Sequence, residues 1–133
     1  TNQPRLIQPR VLREDYVDNM LAIAKLGREH GAKIIIIGQQ YRDAMSHPAQ
    51  ARLISDYRKA LAAASQAANI DFLLIPELTE DSGNTDEKLF GEIVHPNADG
   101  HDLIATRLEA LMVKRNFLES GHSWAVGLPV ATQ

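Results

Sequence analysis

The chain has 133 residues, 44% of them hydrophobic and 23% charged, with a formal net charge of -3, a pI near 5.9 and no cysteine. This is the composition of one globular domain or part of one, and it excludes disulfides, thiolate metal sites and a cysteine nucleophile. Lys and Arg are scattered, which gives no basic field for a nucleic-acid partner, and no apolar run approaches the roughly 20 residues of a membrane span.

Thr1 to Arg10 carries prolines and glutamines without a core-forming period and reads as extended or irregular. The start at Thr1, with no methionine or signal peptide, reads as a processing boundary. From Arg13, Tyr16, Met20, Ile23, Ala24 and Leu26 or Gly27 fall near a 3.6-residue repeat, with Glu14 and Asp15 suited to a helix start and Gly31 to its stop. A helix is predicted over 13–30. Lys33-Ile34-Ile35-Ile36-Ile37-Gly38 then gives consecutive β-branched residues without polar alternation, as in a strand buried on both faces of a parallel sheet.

Gln39 to Pro48 is a loop leaving the C-terminal end of that strand. A second helix is expected over 49–68, with Leu53, Tyr57, Ala60, Leu61 and Ala64 on one face and Asn69 near its C-cap. Asp71-Phe72-Leu73-Leu74-Ile75-Pro76 is a second short strand closed by proline. Residues 77–91 form an acidic, turn-rich loop of a length that suits function. A last helix is predicted over 99–117, its apolar stripe being Leu103, Ile104, Leu108, Leu111 and Met112. Leu118 to Gln133 reads as an irregular tail whose Trp124 docks on a neighbour. The domain proper is therefore expected over 1–117 and the tail over 118–133.

Two apolar parallel strands and three helices leave strand edges unpaired. The chain is thus expected to be the later part of a doubly wound α/β domain, its first strands lying on a preceding segment or another chain.

Between the last strand and the last helix lies Glu92-Ile93-Val94-His95-Pro96-Asn97-Ala98-Asp99-Gly100-His101. A carboxylate three residues before a histidine, on a Pro/Asn/Gly-rich turn, suits the orienter and base of a nucleophilic hydrolase. An imidazole titrating near neutrality can take a hydroxyl proton and return it to a leaving group. The chain offers no convincing serine for that base. Ser82, in Asp81-Ser82-Gly83, lies in a loop after the last strand rather than at a strand-to-helix elbow, and the other serines have no better context.

Val94-His95-Pro96-Asn97-Ala98-Asp99-Gly100-His101 resembles the last block of the SGNH hydrolases, the GDSL-type esterases and lipases, in which D-x-x-H-P-N-x-x-G-H precedes the C-terminal helix. A Tyr-x-x-Asn-Met-Leu helix at Tyr16 to Leu21, a Tyr57-Arg58 pair in the next helix and a strand ending at Pro76 are similar to the family in order. The resemblance covers nearly the whole chain up to Phe117. It implies a flavodoxin-like three-layer fold and ester hydrolysis or acyl transfer through a serine, with His95 as base. The family's aspartate position is occupied by Glu92, one methylene longer; Asp86, Glu87, a backbone carbonyl or no orienter at all are the alternatives.

The family's Gly-Asp-Ser block and its oxyanion glycine are absent. Thr1-Asn2-Gln3 resembles the end of the family's G-x-N-D block, with Gln3 for the aspartate, which would make Asn2 an oxyanion-hole donor. The bland reading of Asn2 is a polar residue near a terminus. Gln39, Gln40 and Tyr41 follow the first strand at the end where a cleft would lie; they line it as substrate-binding residues or, equally, cap and order the loop. His101 reads as a turn residue, His30, His47 and His122 as surface residues, and the acids of 77–92 lack a calcium-loop spacing. No metal or cofactor is expected.

The expected function is a serine esterase or acyl hydrolase acting on a carboxylic ester, such as an O-acyl carbohydrate or a lipid. This chain would supply the histidine and acid, be inactive alone, and depend on a missing N-terminal segment or companion chain for the serine. The alternative is a non-catalytic SGNH-like binding or interaction module, of which Glu92 and Gln3 would be signs. A nucleotide-binding flavodoxin-like domain is disfavoured, because no Gly-rich phosphate loop follows either strand.

Overall fold

The computed structural model describes residues 9–42, 46–79 and 85–118. These form a mixed α/β arrangement of three helices and a two-stranded parallel sheet: α1 (Arg13–Glu29), β1 (Ile35–Ile37), α2 (Pro48–Ala67), β2 (Asp71–Leu73) and α3 (Ala98–Lys114). The strands pair in register Ile35 with Asp71, Ile36 with Phe72 and Ile37 with Leu73. Thr1, Asn2, Gln3, Ser82 and the tail from residue 119 lie outside the described residues.

Local sequence chemistry sets the helix ends. α2 opens on Pro48, whose fixed φ suits the first helical turn and whose missing N–H is no loss there. Each helix closes with a residue in the left-handed region: Gly31 at φ 80°, Asn69 at 53° and Asn116 at 52°. In each case that residue's own amide and the next one reach back over the last turn. Ala32 N–H donates to Gly27 O at 2.9 Å, Ile70 to Ser65 O at 2.8 Å and Phe117 to Met112 O at 2.9 Å, which is the Schellman arrangement. Glycine and asparagine tolerate this conformation, and that is why the chain turns where it does.

The core is two clusters. Ala24, Ile36, Leu61 and Ile70 are buried together, with Tyr16, Val17, Met20, Leu21, Ile34 and Phe72 packed on them, so α1 and α2 meet the sheet there. Ile75, Leu78 and Phe90 form the second, covered by Leu73, Leu89, Leu103 and Ile104, and this one seats α3. Full burial of a side chain of this kind contributes on the order of 1.5–3 kcal/mol.

The structure corrects three expectations. The core-facing stripe of α1 is buried Ala24 with half-buried Tyr16, Val17, Met20 and Leu21, whereas Ile23 and Leu26 are 65% and 57% exposed. β1 is not covered on both faces: within it only Ile36 is buried, Ile35 is half-buried and Ile37 is exposed. Finally, α3 stops at Lys114 rather than 117, since Asn116 leaves helical geometry.

Beyond the strands the two chains keep running side by side. Gly38 N–H donates to Leu73 O at 2.9 Å, Tyr41 N–H to Leu78 O at 3.2 Å, and Tyr41 pairs with Thr79 in a single parallel bridge. Short 3-10 turns at Pro76–Leu78 and Glu87–Leu89 shape what sequence alone presents as one loop. Arg107 of α3 bonds to Glu77 at 2.9 Å and Arg115 to Asp71 at 2.8 Å, so α3 is tied from its middle and from just past its C-terminal end to the β2 segment.

Candidate functional site

The Glu92–His95 turn is held by its backbone. Gly91 N–H donates to His95 O at 2.9 Å, Phe90 pairs with Pro96 in an antiparallel bridge, and Asn97 N–H donates to Leu89 O at 2.9 Å. Phe90 is 6% exposed and anchors this turn in the second core cluster.

Asn97 locks the turn to the helix that follows. Its Oδ1 accepts from Gly100 N–H at 3.0 Å, capping α3, while its Nδ2 donates to Lys88 O at 2.6 Å. Gly100 is buried because Leu89 O and Pro96 Cβ fill the space that a side chain would need. The glycine is therefore required by packing, and the asparagine by the two hydrogen bonds of its side chain.

Within this frame Glu92 Oε1 lies against His95 Nδ1 in a short contact. With Nδ1–H donated to the carboxylate, Nε2 carries the free lone pair, the arrangement in which a histidine acts as a base. Of the acids weighed from sequence, Glu92 is the one brought to the ring; Asp86 instead accepts from Lys88 N–H at 3.0 Å and caps its own turn. His95 and Glu92 are 73% and 63% exposed. A side-chain contact so open to water adds little to stability, so its placement is not explained by folding energetics.

The loop after β1 reaches this turn. Arg42 N–H donates to Ile93 O at 2.8 Å, linking the C-terminal end of β1 to the residue after Glu92. Open α/β sheets bind ligands at that edge. Of the residues assigned to a cleft, Gln39 is exposed, and Gln40 folds its amide back onto Gly38 O at 3.0 Å. Tyr41 is fully buried, so its ring packs inside and presents no surface to a cleft. Buried Arg58 donates to Gln39 O at 2.6 Å and ties the loop to α2.

Sequence reasoning gave no role to Arg42 or to the side chain of Asn97. Asn97 was legible as an N-cap before an apolar helix; Arg42 carried only the weak signal of a charge in a loop beyond a strand end. His30 bonds through Nδ1 to Leu26 O at 2.9 Å and His47 is exposed. Among the described residues no three His, Cys, Asp or Glu side chains gather as a metal site, and no helix is long and apolar enough to cross a membrane. No family model matches the chain, and no curated protein matches it.

Proposed function

We propose that the chain is the C-terminal portion of a flavodoxin-like serine ester hydrolase of the SGNH type, contributing base and orienter to a site completed from outside these residues. The observation that supports this is the Glu92–His95 pair, on a turn stapled by Asn97 to α3 and by Arg42 to the end of β1. A serine Oγ–H placed at His95 Nε2 loses its proton to the ring as oxygen attacks an ester carbonyl. Glu92 holds Nδ1–H and offsets the charge of the imidazolium. The same proton passes to the departing alkoxide; water, deprotonated in turn by His95, then attacks the acyl enzyme, and that proton returns to the serine oxygen as its bond to the acyl carbon breaks and the acid leaves.

The openness of the pair fits this reading, because the wall that would exclude water is the one that carries the serine. The edge of β1 left unpaired among the described residues and the exposed Ile37 and Leu74 are consistent with further strands from the same source. Asn2 would serve as an oxyanion donor, as the resemblance implies. The test is labelling of the assembled protein with a fluorophosphonate probe: one serine reacts, and His95→Ala slows it. A probe that labels no serine, or labels it equally in both proteins, refutes the proposal and favours a non-catalytic binding module.

A further inference from the structure

Arg42 is a half-buried residue whose Nε is sealed from solvent and makes no hydrogen bond. Among the described residues its guanidinium pairs with no carboxylate and no carbonyl, unlike Arg28, Arg58, Arg107 and Arg115. A cation partly withdrawn from water and left without a partner is costly, so a position that keeps one invites an anion from elsewhere. Its place is specific as well: its own amide is bonded to Ile93 O inside the Glu92–His95 turn.

From this the geometry points to Arg42 as a specificity-determining residue that binds an anionic group of the substrate. The inference rests on the proposed ester hydrolysis and names its substrate class, an ester carrying a carboxylate or phosphate near the scissile carbonyl. The guanidinium presents paired N–H donors in a planar fork that fits a carboxylate or phosphate, and Lys would supply the charge without that fork.

The test uses this chain assembled with its serine-bearing segment and two substrates that share a leaving group, neutral 4-nitrophenyl butyrate and the mono-4-nitrophenyl ester of glutaric acid. The ratio of kcat/KM for the anionic ester to that for the neutral one falls about tenfold or more in Arg42→Gln, as loss of a charge-assisted hydrogen bond predicts, and Arg42→Lys recovers part of it. An unchanged ratio in Arg42→Gln overturns the assignment. Titration of the 15N-labelled assembly with glutarate gives a readout that needs no turnover. Saturable shifts at the Arg42 and Ile93 amides, lost in Arg42→Gln, support the anion subsite even if neither ester is cleaved, in which case only the hydrolase reading fails. Absence of saturable shifts in the unmodified protein overturns the subsite while leaving ester hydrolysis standing.

Discussion

The carbonyl oxygen of Leu89 stands where a side chain on Gly100 would project, and Pro96 Cβ would lie 2.7 Å from the same added carbon. The turn that bears His95 and the first turn of α3 are therefore pressed together across a gap that only glycine leaves open. Gly100→Ala forces backbone to move rather than a flexible side chain, and overpacking of this kind costs about 1–3 kcal/mol. Urea unfolding should show that loss; an unchanged midpoint would mean that the Leu89 segment gives way freely.

Asn97 does two jobs through one side chain, accepting from Gly100 N–H and donating to Lys88 O. Asn97→Ala should destabilise by roughly 0.5–2 kcal/mol for the cap alone. Asn97→Asp keeps the acceptor and loses the donor, so it should fall between the two in denaturant midpoint. Equal stability of Asn97→Asp and the unmodified protein would show that the Lys88 bond contributes nothing.

Asn69 closes α2 with φ at 53°. Asn69→Ala should cost on the order of 1 kcal/mol, because a Cβ without a polar tip is strained there, while Asn69→Gly should be neutral or better. Thermal unfolding of the two variants distinguishes them, and a more stable alanine variant would contradict the assigned cap.

Tyr16 is half-buried, packs 5.4 Å from the Tyr57 ring centroid, and has its hydroxyl pushed above the usual tyrosine range by burial. A pKa higher in the folded state gives stability that is present below the unfolded value and lost as pH rises through the folded one. Stability should thus decline above about pH 10, and Tyr16→Phe should decline less. Identical pH profiles for both proteins would contradict this.

Much of the scaffold was legible because helix stops are written in single residues. Gly31 and Asn69 mark the ends of α1 and α2 to within a residue, whereas Asn116, inside the helix predicted over 99–117, carries no apolar signal and yet turns the chain just after Lys114. Periodicity did not distinguish the two flanks of α1, since Ile23 and Leu26 continue an apolar stripe that the fold leaves in solvent. The Glu92–His95 spacing was visible because three residues of a turn bring those side chains together. The bond from Arg42 to Ile93 was not, because it joins two backbone groups far apart in the chain and no side-chain pattern encodes it. Tyr41 shows the same limit: a loop position suggested a cleft, but the parallel bridge to Thr79 carries it into the interior.

The central claim is that His95, oriented by Glu92, is the base of an ester hydrolase. It is tested most directly by the kcat/KM of the assembled protein on a short-chain aryl ester, compared with His95→Ala and Glu92→Gln. The account predicts a loss of at least about 10²-fold for His95→Ala and a smaller loss for Glu92→Gln. Turnover in His95→Ala equal to that of the unmodified protein would contradict it.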